Sequence, residues 1–230
     1  MSRRLPGGAP GTVPGSRDTH VALRTARGRS PASQRWLTRQ LKDPYVRAAV
    51  REGWRSRAAF KLIELDERFH LLTPRARVVD LGAAPGGWTQ VALLRGAARV
   101  VALDLLAIDP LPGAMTLTGD FSDPDMPRRL AALLGGPADL VLSDMAPNTT
   151  GHAATDHLRI VALAEQALDF ALATLAPGGA FVAKVFQGGT EQRLLAAMKR
   201  AFRSVRHAKP LASRKESSEL YVIAQGFRPG

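Results

Sequence analysis

The sequence has no cysteine among its 230 residues. Disulfides, thiolate metal ligands and cysteine nucleophiles are therefore excluded. Histidine is scarce too. The five present (His20, His70, His152, His157, His207) show no HxxxH or HExxH spacing, and the nearest pair, His152 and His157, reads as loop or surface. No metal site is expected from them. No apolar run approaches the ~20 residues of a membrane-spanning helix, so no membrane association is expected. Acids are few: 20 Asp and Glu stand against 32 Lys and Arg, a net charge of +12. A surplus of that size points to a polyanionic partner, because each phosphate neutralised releases counterions. What is plentiful is apolar side chain, 45% of residues, enough core for one α/β domain.

Residues 1–34 stand apart. They are rich in Gly, Pro, Ser and Arg, and Asp18 is their one acid. Such a segment buries too little surface to offset its ordering entropy. It reads as a disordered basic arm suited to lying along RNA. A cleaved organellar transit peptide, also Arg-rich and acid-poor, is the other reading. A cytoplasmic location follows from the first and a mitochondrial matrix location from the second. The domain proper is expected over 35–230.

From Ser33 the pattern becomes periodic. Helices are predicted over 43–51, from an N-cap at Ser56 to about Phe69, from Gly86-Gly87 to about Arg95, and over 127–134, 158–175 and 191–202. Strands are predicted over 77–82, 99–104, 115–120, 138–144, 179–186, 205–210 and 219–224. Strands alternating with helices imply a doubly wound α/β fold, Rossmann-like, with a mostly parallel sheet and helices on both faces. Ligands in such sheets bind beyond the carboxyl ends of the strands. The charged residues at strand ends are Asp80, Asp104, Asp120, Asp144 and Lys184.

The first strand runs into Asp80-Leu-Gly-Ala-Ala-Pro-Gly-Gly-Trp88. Glycines there let the backbone approach a ligand closely, and the next helix aims free N–H groups at the same spot. Asp104 follows by about 20 residues, where an acid accepts from both hydroxyls of a ribose. Nicotinamide and adenosylmethionine binders share these features. Two details favour the second. Trp88 would put a bulky indole where a pyrophosphate should pass, and Asp120 is placed to accept from an adenine amino group.

Lys184 lies inside the otherwise apolar Phe181-Val-Ala-Lys-Val-Phe186, and lysine is rarely buried without a partner. Asp144 would lie beside it if their two strands are adjacent. Methylation of a ribose 2′-hydroxyl would use such a pair. Most of the rate comes from aligning oxygen, methyl and sulfur, and a base takes the proton as the bond forms. A lysine serves as base only when neutral, a form favoured by burial or by a second cation such as Lys61 and opposed by a carboxylate. Base and electrostatic clamp are both open roles for Lys184. No metal is needed, since the leaving group is already a cation that becomes neutral.

The chain resembles the FtsJ family of ribosomal-RNA ribose methyltransferases. The matching stretches are Ser56-Arg-Ala-Ala-Phe-Lys-Leu62, Val79 to Trp88, Asp104-Leu-Leu106, Gly119-Asp-Phe121, Ser143-Asp-Met-Ala-Pro-Asn148, Leu175-Ala-Pro-Gly-Gly179, Lys184-Val-Phe-Gln-Gly188 and Ser213 to Tyr221. Each is weak alone, but the ordered set is specific and spans about Arg35 to Phe227. The resemblance implies a catalytic centre of Lys61, Asp144, Lys184 and Glu219, with Lys184 as proton acceptor. It implies S-adenosylmethionine contacts at Gly86, Trp88, Asp104, Asp120 and Asp144. The implied substrate is a uridine of large-subunit, 23S-type rRNA, in the loop that receives the aminoacyl-tRNA end, met within the ribosomal particle by a monomeric enzyme. A tRNA 2′-O-methyltransferase, a noncatalytic RNA-binding assembly factor and a nicotinamide oxidoreductase are the competing readings.

Overall fold

The computed structural model describes residues 42–147, 152–186, 192–214 and 216–230. The expected basic arm of 1–34 lies outside the described residues, as do Asn148, Gln187, Gly188 and Lys215.

Six helices and seven strands follow one another among these residues: α1 (Pro44–Glu52), α2 (Ala58–Phe69), β1 (Arg77–Leu81), α3 (Gly87–Leu94), β2 (Arg99–Asp104), β3 (Ala114–Thr118), α4 (Met126–Leu134), β4 (Ala138–Ser143), α5 (Ala153–Thr174), β5 (Leu175–Phe186), α6 (Gln192–Ala201), β6 (Phe202–Ala208) and β7 (Glu219–Phe227). The strands form one sheet in the order β3-β2-β1-β4-β5-β7-β6. The first five are parallel; β7 runs antiparallel to both β5 and β6. Strand order reverses between β1 and β4, and a ligand crevice is expected there.

Side chains alternate along a strand, so each strand feeds two cores. Val79, Leu81, Val141, Phe181 and Val222 pack under α4, α5 and α6. Val78, Leu140, Leu142, Val182 and Ile223 pack under α2 and α3 through Leu62, Leu65, Trp88 and Val91. The same period of two carries every polar residue of interest to the second face. Asp80 shares parity with Val78, Asp144 with Leu142, Lys184 with Val182, and Glu219 and Tyr221 with Ile223. These groups therefore collect beneath α2 and α3, at the edge of an apolar layer that excludes water.

Several boundaries depart from expectation. Asp43 is the N-cap of α1 and not its first residue, accepting from the Tyr45 N–H at 3.0 Å, with Pro44 in the first turn and Gly53 closing the helix. Ser56 does not cap α2. The cap position is Arg57, without a side-chain bond, and the Ser56 hydroxyl instead packs against Gly87. That close contact leaves no room for a β-carbon at residue 87, so α2 and α3 meet as closely as a glycine permits. Helix α5 begins at Ala153, five residues before Leu158. Its opening residues place an acid, Asp156, in the first turn, but have no apolar period to betray them. The helix stops at Thr174, and Pro177-Gly178-Gly179 lies inside β5. The register with β4 shifts there, from Ala138 opposite Leu175 to Leu140 opposite Ala180, so the turn residues are absorbed as an irregularity.

Candidate active site

Strand β1 delivers its last residues to the reversal point. Gly82 follows it with φ +76°, and a β-carbon there would come within 2.7 Å of the Met145 backbone. Only glycine lets the segment after β4 pass so near the segment after β1. The Asp144 N–H then donates to the Leu81 carbonyl at 2.9 Å, which fixes Asp144 at the junction.

On one side of that junction lie the ends of β1, β2 and β3. The N–H groups of Gly87 and Trp88 open α3 and have no intrahelical acceptor. Asp104 accepts from Ala84 N–H at 2.9 Å through one oxygen and from Leu106 N–H at 2.9 Å through the other. Both bonds orient the carboxylate and leave its outer lone pairs free. Asp120, just past β3, is exposed and accepts from Ser122 N–H at 2.8 Å; it does not cap α4. Asp80 is fully buried. One of its oxygens takes the Thr89 hydroxyl at 2.6 Å; the other, Oδ1, has no partner. Burial pushes its carboxyl up to about 7, helped by the charges of Asp144 and Asp104 and opposed by the bonds from Thr89.

Trp88 corrects one expectation. Its ring is 2% exposed, donates its indole N–H to the Ala58 carbonyl at 2.8 Å and packs on Tyr221 with centroids 5.5 Å apart. The indole is therefore core between α2 and β7 and does not block the mouth of the loop. What residue 88 leaves without an intrahelical partner is its backbone N–H. Gly86 has both backbone groups engaged: its N–H goes to Ala83 and its carbonyl to Gln90. Its bare α-carbon, at φ +106°, is met by Leu111 and Arg55, whose atoms lie 3.0–3.2 Å from where a β-carbon would be.

On the other side lie the ends of β4 and β5 and the start of β7. The pairing of Ser143 with Ala183 meets the adjacency condition and brings Asp144 beside Lys184. The Lys184 ammonium is 3.0 Å from Asp144 Oδ1 and donates to the Asp144 carbonyl at 2.6 Å. Because β7 runs antiparallel, Phe186 faces Glu219 and Lys184 faces Tyr221. Lys61 comes down from α2 to Glu219, at 2.7 Å. The four predicted residues thus fall into two ion pairs. The hydroxyl of Tyr221, which the sequence reading did not single out, joins them. It accepts from Lys61 at 3.1 Å, donates to Asp144 at 2.7 Å and stands 3.3 Å from Glu219. Ser213 adds a hydroxyl to Glu219 at 2.8 Å.

The electrostatics are those of a closed network. Burial alone would raise the Asp144 carboxyl, but the Lys184 and Lys61 ammoniums and the Tyr221 hydroxyl outweigh it and hold it below the usual carboxylate range. Tyr221 goes the other way. Burial, then the neighbouring Asp144 and Glu219, keep its phenol protonated well beyond the ordinary tyrosine range. Tyr221 is a fixed donor, not an acceptor of protons.

The donor set suits an extended ligand lying across the strand ends. A buried, unpartnered carboxylate oxygen fits a cationic group, the N–H groups of α3 fit a carboxylate, and Asp104 fits a ribose. Adjacent strands are ~5 Å apart, so β1 to β3 spans ~10 Å, the reach of a nucleoside with a short tail. Among the described residues no cluster of three metal-binding side chains occurs.

A doubly wound sheet with carboxylates and the open N–H groups of a helix on one side of its reversal point and a buried lysine–carboxylate network on the other belongs to the Rossmann-like methyltransferases. The chain is a member of the FtsJ-like methyltransferase family, whose model matches residues 54–227. It is 69% identical over 225 residues to the ribosomal RNA large subunit methyltransferase E of Granulibacter bethesdensis, covering 98% of each chain. It is 70% identical over 214 residues to the protein of the same name from Gluconobacter oxydans, covering 93% of this chain and 80% of that one. Among solved structures, a ribosomal RNA methyltransferase from Plasmodium falciparum matches with a TM-score of 0.69 at 28% identity, over 77% of this chain and 100% of that one. The chain is thus a methyltransferase, and the oxidoreductase reading falls.

Proposed function

We propose that this enzyme transfers a methyl group from S-adenosylmethionine to a ribose 2′-hydroxyl of large-subunit rRNA, on a uridine, in the cytoplasm. The relatives' names support the rRNA. The carrying observation is the Lys184–Asp144 pair, 3.0 Å apart at the end of β4 beside the cofactor groove. The Asp80 Oδ1 atom, the opening N–H groups of α3, Asp104 and Asp120 are the groups that would hold the cofactor's cationic, carboxylate, ribose and adenine parts. When bound, the cofactor supplies a methyl group on a positively charged sulfur.

The protein's own residues do the rest. Asp144 reaches both halves of the site and sets the distance between them. Lys61, balanced by Glu219, holds the incoming ribose hydroxyl by donating to its oxygen. Lys184 takes the proton of that hydroxyl at Nζ as the carbon–oxygen bond forms and the carbon–sulfur bond breaks. Only the neutral amine of Lys184 has the lone pair that this step needs. The Tyr221 phenol keeps its proton and holds Asp144 in place.

Of large ribosomal subunits and tRNA from cells lacking the gene, each incubated with the enzyme and radiolabelled S-adenosylmethionine, the subunits should gain one ribose methyl at a uridine of the large rRNA. Label confined to tRNA, or no label despite cofactor binding, would refute this reading. The second outcome would favour an RNA-binding assembly factor.

A further inference from the structure

The segment after β2, residues 105–113, walls the groove next to Asp104. On its inner side it is anchored by Ile108, buried against Ala83, Ala84 and Ala102. On its outer side it is held by Arg55, which precedes α2. The guanidinium donates to the carbonyls of Asp109 at 2.6 Å and Pro110 at 2.8 Å on this segment, and to the carbonyl of Pro85 at 3.2 Å on the glycine loop. Arg55 is itself held: its backbone N–H donates to the Gln90 side chain of α3 at 3.0 Å, and the Gln90 amide donates to Gly53 at 2.8 Å.

The glycine loop is shaped to receive this arginine. A β-carbon at Gly86 would lie 3.2 Å from Arg55 Cδ and Nη1 and 3.0 Å from Leu111 Cδ1. Among the described residues Arg55 pairs with no carboxylate, and its bonds all go to main-chain oxygens. A rigid, planar fork of donors can join two loops in this way, whereas a lysine is a single point. The two loops it joins are also the two that orient Asp104, through Ala84 N–H and Leu106 N–H.

We infer that Arg55 is a positioning residue for the cofactor: it clasps the 105–113 segment onto the glycine loop and so sets the geometry of the groove between Asp104 and the start of α3. This rests on the S-adenosylmethionine reading above. A half-buried arginine on a basic protein also suits an RNA phosphate, and the two roles separate in kinetics. A clasp acts on cofactor binding; a phosphate contact acts on RNA binding and its salt dependence.

The test uses the full chain as wild type, Arg55→Lys and Arg55→Gln, with S-adenosylmethionine titrated calorimetrically and the KM measured for cofactor and for large subunits. Both variants should bind cofactor about tenfold more weakly, since each loses the fork that holds both loops. The KM for cofactor should rise alike, with kcat at saturating cofactor and the KM for subunits little changed. Hydrogen exchange of amides in 105–113 should quicken while β1 stays protected. Cofactor affinity within twofold of wild type, or a change confined to the KM for subunits, overturns the inference. Arg55→Lys keeps the charge and stem, so it remains informative should Arg55→Gln not fold. A wild-type chain that fails to bind S-adenosylmethionine defeats the cofactor reading itself, a result distinct from either.

Discussion

The hydroxyl of Tyr221 lies 2.7 Å from Asp144 and 3.3 Å from Glu219, so a single neutral phenol joins the two carboxylates of the site. Its ring, wedged against Trp88, is part of the core under α2 and α3, while its oxygen belongs to the polar network. Tyr221→Phe keeps the ring and deletes the oxygen. Asp144 then loses its phenol donor, and Lys61 an acceptor, in a place that water reaches poorly. A hydrogen bond to a charged group contributes about 1.5–3 kcal/mol, so a turnover loss of ten- to a hundredfold is expected. Cofactor affinity should hardly change. Single-turnover methylation rates check this; a wild-type rate would make the tyrosine a packing residue only.

Lys184 can be examined by charge and by basicity separately. Lys184→Ala removes both and should lower turnover by about 10²–10⁴, the usual contribution of a general base, with cofactor affinity within a few-fold. Lys184→Arg keeps a cation beside Asp144 but cannot give up its proton at accessible pH. If Lys184 accepts the proton, the arginine variant should be as inactive as the alanine one. Substantial turnover by Lys184→Arg in the labelled-methyl assay would instead make the residue an electrostatic clamp.

Much of this site is legible in the sequence, and the unread parts have physical causes. The glycine loop stands out because an apolar strand ends abruptly in Gly82. Lys184 stands out because a cation interrupts the apolar run of β5. Asp144 could be paired with it only on condition that β4 and β5 are neighbours. Lys61 and Glu219 carry no such mark. One sits on an amphipathic helix and the other at a strand start, and local pattern does not reveal which polar face meets which; the family resemblance supplied them. Tyr221 was passed over because a tyrosine in an apolar strand reads as core, and the antiparallel insertion of β7 that aims its oxygen is a long-range pairing. Trp88 was misjudged for the converse reason: bulk was assigned to the groove when the ring turns inward under α2. Arg55 looks like any surface cation until the 105–113 segment folds beside it.

Asp104 should be needed for affinity more than for rate. Its two oxygens hold Ala84 N–H and Leu106 N–H, so the alanine variant loses the ribose acceptor and the orientation of both loops together. Asp104→Asn retains an acceptor for one of these bonds but turns an N–H against the other donor. Cofactor binding by Asp104→Ala should weaken by about a hundredfold, the size of two lost charge-assisted hydrogen bonds, and Asp104→Asn should fall between it and wild type. Calorimetric titration decides, and an unchanged affinity would remove Asp104 from the ribose role.

Asp80 should make both stability and cofactor binding depend on pH, in opposite senses. Burial pushes its carboxyl from 3.8 to about 7, with Thr89 opposing. A carboxyl raised on folding favours the folded chain at low pH, where it is protonated in both states. That contribution declines as pH rises from about 4 and is gone above about 7. Without cofactor, wild type should therefore lose stability relative to Asp80→Asn across this window, and the gap should level off beyond it. A cationic group placed against Oδ1 favours the carboxylate, so cofactor binding near pH 6 should expel a proton, and binding near pH 9 should not. Binding enthalpies measured in buffers of different ionisation heat count that proton. Buffer-independent enthalpies near pH 6, or proton release that persists in Asp80→Asn, would show that Asp80 does not face the ligand's charge.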